Sequence, residues 1–139
     1  MANPKQILQR YSVIAVVGIS RYAHKEAGRA PAQMQAAGFR IIPVNPHADV
    51  LLGERVYRKL EDIPEPVEIV DVFRPSSDAP DVARSAVAIG AKVLWLQLGI
   101  TSEEARSIAE EAGLDYVEDR CIAVETARHG IKKKRSASP

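Results

Sequence analysis

Three times along this chain a helical stretch runs into a glycine and a strand starts just beyond it. The segments are AAGFRIIPV around Gly38, AIGAKVLWL around Gly90 and EAGLDYVED around Gly113. Each glycine stands where a helix ends in the left-handed conformation that only glycine adopts cheaply. A strand always reached through a helix returns parallel to the strand before it, by a right-handed crossover. The repetition therefore predicts βα units and a parallel sheet.

The apolar runs agree. Residues 13–17 (VIAVV) are continuous and β-branched, as a strand buried on both faces should be. Further runs lie at 40–44 (RIIPV), 68–73 (EIVDVF) and 92–98 (KVLWLQL), with a shorter one at Tyr116-Val117. Between them Ala30, Met34 and Ala37 share a helical face, as do Val82, Ala83, Ala86 and Val87, and then Ala105, Ile108, Ala109 and Ala112. Thr101 and Glu104 have capping-box spacing, and Asp78 is placed to cap a helix with Pro80 in its first turn. The fold class expected is α/β: a Rossmann-like, doubly wound parallel sheet of about five strands in one domain, ordered 3-2-1-4-5. The region 46–66 is loop-rich, with Val56, Tyr57 and Leu60 anchoring a short helix or irregular segment. Residues 1–130 are expected to form the domain and residues 131–139, which include KKKR, a disordered basic tail.

A length of 139 residues suits one domain and leaves no room for a separate catalytic one. The formal net charge of +1 gives no global field toward nucleic acid or membrane. The apolar runs fall far short of the roughly 20 residues of a membrane span, and the start of the chain has no secretory pattern. Cys121 is the single cysteine, which points to a reducing compartment and a cytoplasmic location. No zinc-type spacing of cysteine and histidine occurs, so no metal is expected.

In such a sheet a ligand binds beyond the carboxyl ends of the strands, where strand order reverses. That point is expected between the strand ending at Val17 and the one starting near Glu68. The loop after the first strand opens on Gly18 and leads to a helix start, which favours a phosphate; Ser20 adds a hydroxyl and Arg21, Lys25 and Arg29 add charge. Neither a dinucleotide-type GxGxxG nor a Walker A loop is present, and a wide turn with solvated basic residues also fits. After the second strand stands Asn45-Pro46, without the carboxylate that bonds the ribose of NAD. Asn45 suits a ribose that carries a phosphate, and Asn45-Pro46 equally suits a plain turn. Phe73, Arg74 and Pro75 follow the third strand, offering an aromatic face and a forked cation; core packing is the alternative for Phe73. Gln97 closes the rim after the fourth.

The runs IAVVGIS, IIPVNP, VDVFRP, VLWLQLGI and DRCI, in that order, resemble the stand-alone CoA-binding family often described as YccU-like. That family is similar to the N-terminal CoA-binding domain of the succinyl-CoA synthetase α subunit. The resemblance covers residues 12–125, and its most distinctive motifs are PVNP and VFRP. It implies that coenzyme A or an acyl-CoA lies across the carboxyl edge of the sheet. Carried over by position, it implicates Gly18, Ile19, Ser20, Arg21 and Lys25, then Pro43, Asn45 and Pro46, then Phe73, Arg74 and Pro75, and Gln97. Two places depart from the pattern: Ile19 stands where a smaller alanine is usual, and Ala27-Gly28-Arg29 precedes the first crossover helix.

No nucleophile, base and orienting group converge in the sequence, so no catalytic residue is assigned. In synthetases that use this domain, the phosphorylated histidine belongs to another domain. His24 and His47 sit on loops near the expected ligand, and Cys121 falls near a helix start where its thiol could act or simply pack. The reading is a non-catalytic module that binds CoA or an acyl-CoA. The alternatives are a small acyl- or thiol-transfer enzyme using Cys121, and a nucleotide-binding oxidoreductase-like protein. The small-molecule ligand is the expected partner, with neither nucleic acid nor membrane; a protein partner or a homodimer is left open.

Overall fold

The computed structural model describes residues 2–134. In chain order they form α1 (Pro4–Arg10), β1 (Val13–Val17), α2 (Glu26–Ala36), β2 (Arg40–Val44), β3 (Val50–Leu51) and β4 (Glu54–Arg55). Then follow β5 (Ile69–Val72), α3 (Ala79–Ala88), β6 (Val93–Leu96), α4 (Glu103–Glu111), β7 (Asp115–Val117) and α5 (Ile122–Arg128). Single 3-10 turns lie at Leu60–Asp62 and Ser76–Asp78. Among the described residues no helix is long and apolar enough to cross a membrane.

The sheet runs β2-β1-β5-β6-β7, and every pairing in it is parallel. Counted by its five strands in chain order this is 2-1-3-4-5, which corrects the expected 3-2-1-4-5. Pro43 supplies the reason. A proline has no N–H for a second ladder, so its strand belongs at an edge. Pro43 faces Val16 of β1 in the register, and on its other side it only accepts a bond from the Tyr57 amide, at 3.0 Å.

Helices cover both faces. Ile14, Val16, Ile41, Ile69, Val93 and Trp95 pack with α1, α2 and α5 on one side. Ala15, Ile42, Val70, Val72, Leu94 and Leu96 pack with α3 and α4 on the other. Strands buried on both sides need continuous apolar sequence, and β1 and β6 supply it. Gly38, Gly90 and Gly113 take the left-handed conformation at the three helix ends, with φ of 98°, 75° and 84°.

Several local features differ from expectation. α1 is additional: Asn3 accepts from the Gln6 amide at 2.9 Å while Gln6 accepts from that of Asn3 at 3.0 Å, and Ile7 and Leu8 are fully buried. The segment 46–66 contains the β3–β4 hairpin, turned through Leu52 and Gly53 at φ 54° and 74°, with Val56 and Leu60 as its buried anchors. Ser102 rather than Thr101 caps α4, accepting from the Ala105 amide at 3.1 Å. Asp78 precedes α3 but makes no cap bond; its carboxylate binds Arg74. Of the expected basic tail, residues 131–134 are described and touch the domain. The Lys133 amide donates to Ala37 at 2.7 Å, and its ammonium donates to the Gln9 carbonyl at 2.7 Å. Residues 135–139 lie outside the described residues.

Two positions fix how the carboxyl edge is built. Gly18 continues β1 at φ 86°, and a Cβ there would stand 2.6 Å from the Phe73 carbonyl oxygen. Asp71, in the middle of β5, is 1% exposed between Val16 and Trp95 of the flanking strands, and neither carboxylate oxygen has a partner. Burial lifts this carboxyl well above the ordinary carboxylate range.

Gly18→Ala is expected to destabilise the protein by about 2–4 kcal/mol, combining left-handed strain with the contact on Phe73; a denaturant midpoint measures it. Asp71 has a folded value above its unfolded one. Its contribution to stability is therefore complete below the ordinary carboxylate range and is lost as pH rises through that range toward the folded value. Asp71→Asn removes this term, so the stability of the variant relative to the parent should increase from pH 4 to pH 8 in urea titrations. A constant difference would show that Asp71 does not titrate in this way.

Candidate ligand-binding site

β1 pairs with β2 on one side and β5 on the other, so the loop that leaves Val17 emerges where strand order reverses. Two hollows open there, one on each side of the start of α2. Lys25 lines the first, and the next two residues, Glu26 and Ala27, line the second.

The loop between them is held by its own bonds. The Gly18 amide donates to Val44 at 3.1 Å, Ser20 to Ala27 at 2.9 Å, and Gly28 and Arg29 to Lys25 at 3.0 and 2.8 Å. The Tyr22 amide donates to the Ser20 hydroxyl at 3.0 Å. Gly28 is needed for this seat, because a Cβ would stand 2.3 Å from the Tyr22 carbonyl oxygen. Several amides expected to face a phosphate are thus engaged within the loop.

The first hollow has a volume of about 230 Å³ and is lined by Ser20, Arg21, Tyr22, Lys25 and His47, with Ile19, Asn45 and Ala48 at its base. Tyr22 is its centre. The Arg21 guanidinium lies 5.3 Å and the Lys25 ammonium 5.4 Å from the ring centroid, and the His24 ring lies 5.7 Å away. Cations over an aromatic face are attracted by its quadrupole, so one exposed ring gathers positive charge at the loop. Ile19 is 2% exposed, so its side chain belongs mainly to the core.

Asn45 ties the edge together. Its Nδ2 donates to the Ile19 carbonyl at 2.8 Å, and its Oδ1 accepts from the His47 and Ala48 amides at 2.7 and 2.9 Å. The Arg58 guanidinium donates to its main-chain carbonyl at 3.0 Å. The turn reading of Asn45 is therefore realised, and the carbonyl end of its side chain is fully engaged in it.

The second hollow is a crevice of about 400 Å³. Phe73, Pro75, Leu98 and Ile100 wall it, with Ala27 and Cys121 beside them. Its polar lining is Glu26, Arg74 and Gln97. Arg74 is forked onto Asp78, with Nη2 and Nε at 2.8 and 3.2 Å from one carboxylate oxygen. Gln97 is 3% exposed and caps α5, its Oε1 accepting from the Ile122 amide at 3.0 Å. Cys121 is half-buried just before α5, and no histidine lines the crevice. The neighbouring Asp119 and Arg120 are structural: Asp119 accepts from the Gly99 amide at 2.7 Å, and the Arg120 carbonyl accepts from Trp95 at 2.8 Å.

The expected residues thus divide. Ile19, Ser20, Arg21, Lys25 and Asn45 meet at the first hollow, and Phe73, Arg74, Pro75 and Gln97 meet at the second. Gly18, Pro43 and Pro46 line neither: Gly18 admits the Phe73 backbone, Pro43 lies within β2, and Pro46 is exposed in the turn. Sequence reasoning missed Tyr22, Glu26, Leu98 and Ile100. Tyr22 between Arg21 and Lys25 was a usable signal, whereas Leu98 read as strand and is instead 71% exposed. Among the described residues no cluster of histidine, cysteine or acidic side chains is placed to hold a metal.

Residues 12–127 match the model of a family described as CoA binding domain. The uncharacterized protein YneT of Bacillus subtilis (strain 168) is 41% identical over 132 residues, covering 91% of this chain and 98% of that protein. Acetate–CoA ligase (ADP-forming) II of Archaeoglobus fulgidus is 30% identical over 121 residues, which are 86% of this chain and 17% of the ligase. The solved structure of cell-free ID.343 from Thermus thermophilus shares the fold with a TM-score of 0.86 at 35% identity, over 92% of this chain and 99% of that one. With the match running from the start of β1 into α5 and a full-length relative at 41% identity, this chain belongs to the CoA-binding domain family.

Proposed function

We propose that this protein binds coenzyme A or an acyl-CoA across the carboxyl edge of its sheet, as a binding module without chemistry of its own. The observation that carries the reading is the pairing of unlike hollows at the start of α2, one cationic around Tyr22 and one apolar around Phe73 and Leu98. The ligand has the same polarity: a phosphorylated adenosine at one end and a pantetheine arm at the other.

In this reading Ser20, Arg21 and Lys25 hold the phosphates, with His47 beside them. Ile19 and Asn45 form the base of that hollow, and Gly18, Pro43 and Pro46 act through the backbone they shape. The pantetheine arm passes α2 toward Phe73, Arg74, Pro75 and Gln97. A phosphate-free ribose of the NAD type finds no carboxylate after β2, where Asn45 is bonded into its own turn. Cys121 faces the crevice with no histidine in the lining to activate it, so the binding reading is preferred to acyl or thiol transfer.

Calorimetry with CoA, dephospho-CoA and NAD tests this. CoA should bind tightest, dephospho-CoA about tenfold weaker through the loss of a charged contact, and NAD weakest; NAD ahead of CoA would sink the proposal. Lys25→Ala should cost about 1 kcal/mol in CoA binding, as suits a solvent-exposed cation on a phosphate. The loss should shrink when salt is raised.

A further inference from the structure

We propose that the crevice is an acyl site, which takes the alkyl chain of a CoA thioester and prefers an uncharged alkanoyl group to a dicarboxylic one. This rests on the CoA reading above and names the class of thioester.

Position comes first. Lys25 belongs to the cationic hollow, and Glu26 and Ala27 belong to the crevice. A molecule anchored by its phosphates on the first therefore extends past the start of α2 into the second. Its far end arrives among Phe73, Pro75, Leu98 and Ile100. A free thiol needs no such wall. Leu98 is 71% exposed on the rim, and its neighbour Gln97 is buried and capping a helix, so the strand end presents Leu98 to whatever enters. An alkyl chain covers that side chain and loses its own contact with water in the same step.

Charge decides which acyl group. The cation of the crevice, Arg74, is already forked onto Asp78. The polar end of Gln97 that accepts hydrogen bonds is taken by the Ile122 amide. Glu26 adds a carboxylate to the lining and is paired with Arg29 outside it. A carboxylate at the end of an acyl chain would meet mostly apolar walls and Glu26, with the uncharged Gln97 amide as the donor left in the lining, and could pair with Arg74 or Arg29 only by displacing Asp78 or Glu26. Desolvating a charge without a partner is unfavourable, so a dicarboxylic acyl group is selected against.

The test is calorimetry on the full chain with CoA, acetyl-CoA, butyryl-CoA and succinyl-CoA. Butyryl and succinyl chains have the same number of carbons and differ in the terminal carboxylate. Each buried methylene should tighten binding about fourfold, so butyryl-CoA should bind about fifteenfold tighter than acetyl-CoA. Succinyl-CoA should bind at least about tenfold weaker than butyryl-CoA. Leu98→Asp should lower the ratio of butyryl-CoA to CoA affinity, and Glu26→Lys should raise succinyl-CoA relative to butyryl-CoA. Equal affinity for CoA, acetyl-CoA and butyryl-CoA would overturn the acyl site and leave the CoA reading standing, as would succinyl-CoA binding as tightly as butyryl-CoA. Failure of all four to bind would overturn both.

Discussion

The contact between Gly18 and the Phe73 carbonyl is the constraint on which the functional edge depends. β1 and β5 are laid side by side in parallel, and their ends stay close past the last ladder bond because residue 18 has no side chain. The Phe73 amide donates to Val17 at 2.9 Å, which extends the pairing to the lip of the sheet. From there the chains diverge: one turns toward α2 and the other through Arg74 and Pro75 into a 3-10 turn. The crevice is the space left by that divergence. Phe73 and Gln97 in its lining directly follow strands whose residues Ile69, Val93 and Trp95 are fully buried.

Polar bonds set the rest of the edge. Asn45 binds the loop after β1 to the turn after β2, and Gln97 binds the end of β6 to the start of α5. Each such bond adds only about 1 kcal/mol in net stability, but each fixes a direction, which apolar packing alone does not. Fixed directions of this kind reduce the freedom that a protein gives up when a site is filled. Asp71 runs against this economy of partners. It lies on the same face of β5 as Phe73, one pleat beneath it, and its carboxyl has no bond within the protein. Burial favours its neutral form and holds the carboxyl well above the ordinary carboxylate range.

The strands and the helix ends could be read from the sequence because they depend on local chemistry: β-branched runs, and glycines that alone tolerate a positive φ. Strand order could not be read from runs alone, although Pro43 held the answer by marking β2 as an edge. α1 was overlooked despite its signature of Asn3, Pro4 and Gln6, because it is short and its value comes from burying Ile7 and Leu8 against distant parts of the chain. The motif positions did converge on one edge, yet their division between two hollows was not legible. It depends on where α2 begins and on bonds that span the fold, such as Asn45 to Ile19 and Gln97 to Ile122. Asn45 shows the difficulty most directly: its residue type fits a ribose contact and a turn equally well, and only the positions of the His47 and Ala48 amides decide for the turn.

The near-zero net charge conceals how charge is distributed at this edge. Arg21 and Lys25 stand in the loop with Tyr22 between them, and neither has a carboxylate partner among the described residues. Farther along, cations and anions are matched: Arg29 with Glu26, and Arg74 with Asp78. Matched pairs cancel at a distance, while the loop cations remain as a local positive field. In the proposed mode of binding, that field would orient a molecule with anionic groups at one end and an apolar chain at the other, phosphates toward Tyr22 and chain toward Phe73. The start of α2 then acts as a divider between two solvents, one ionic and one close to hydrocarbon, a few residues apart. The reversal of strand order is what brings the two environments to the same edge.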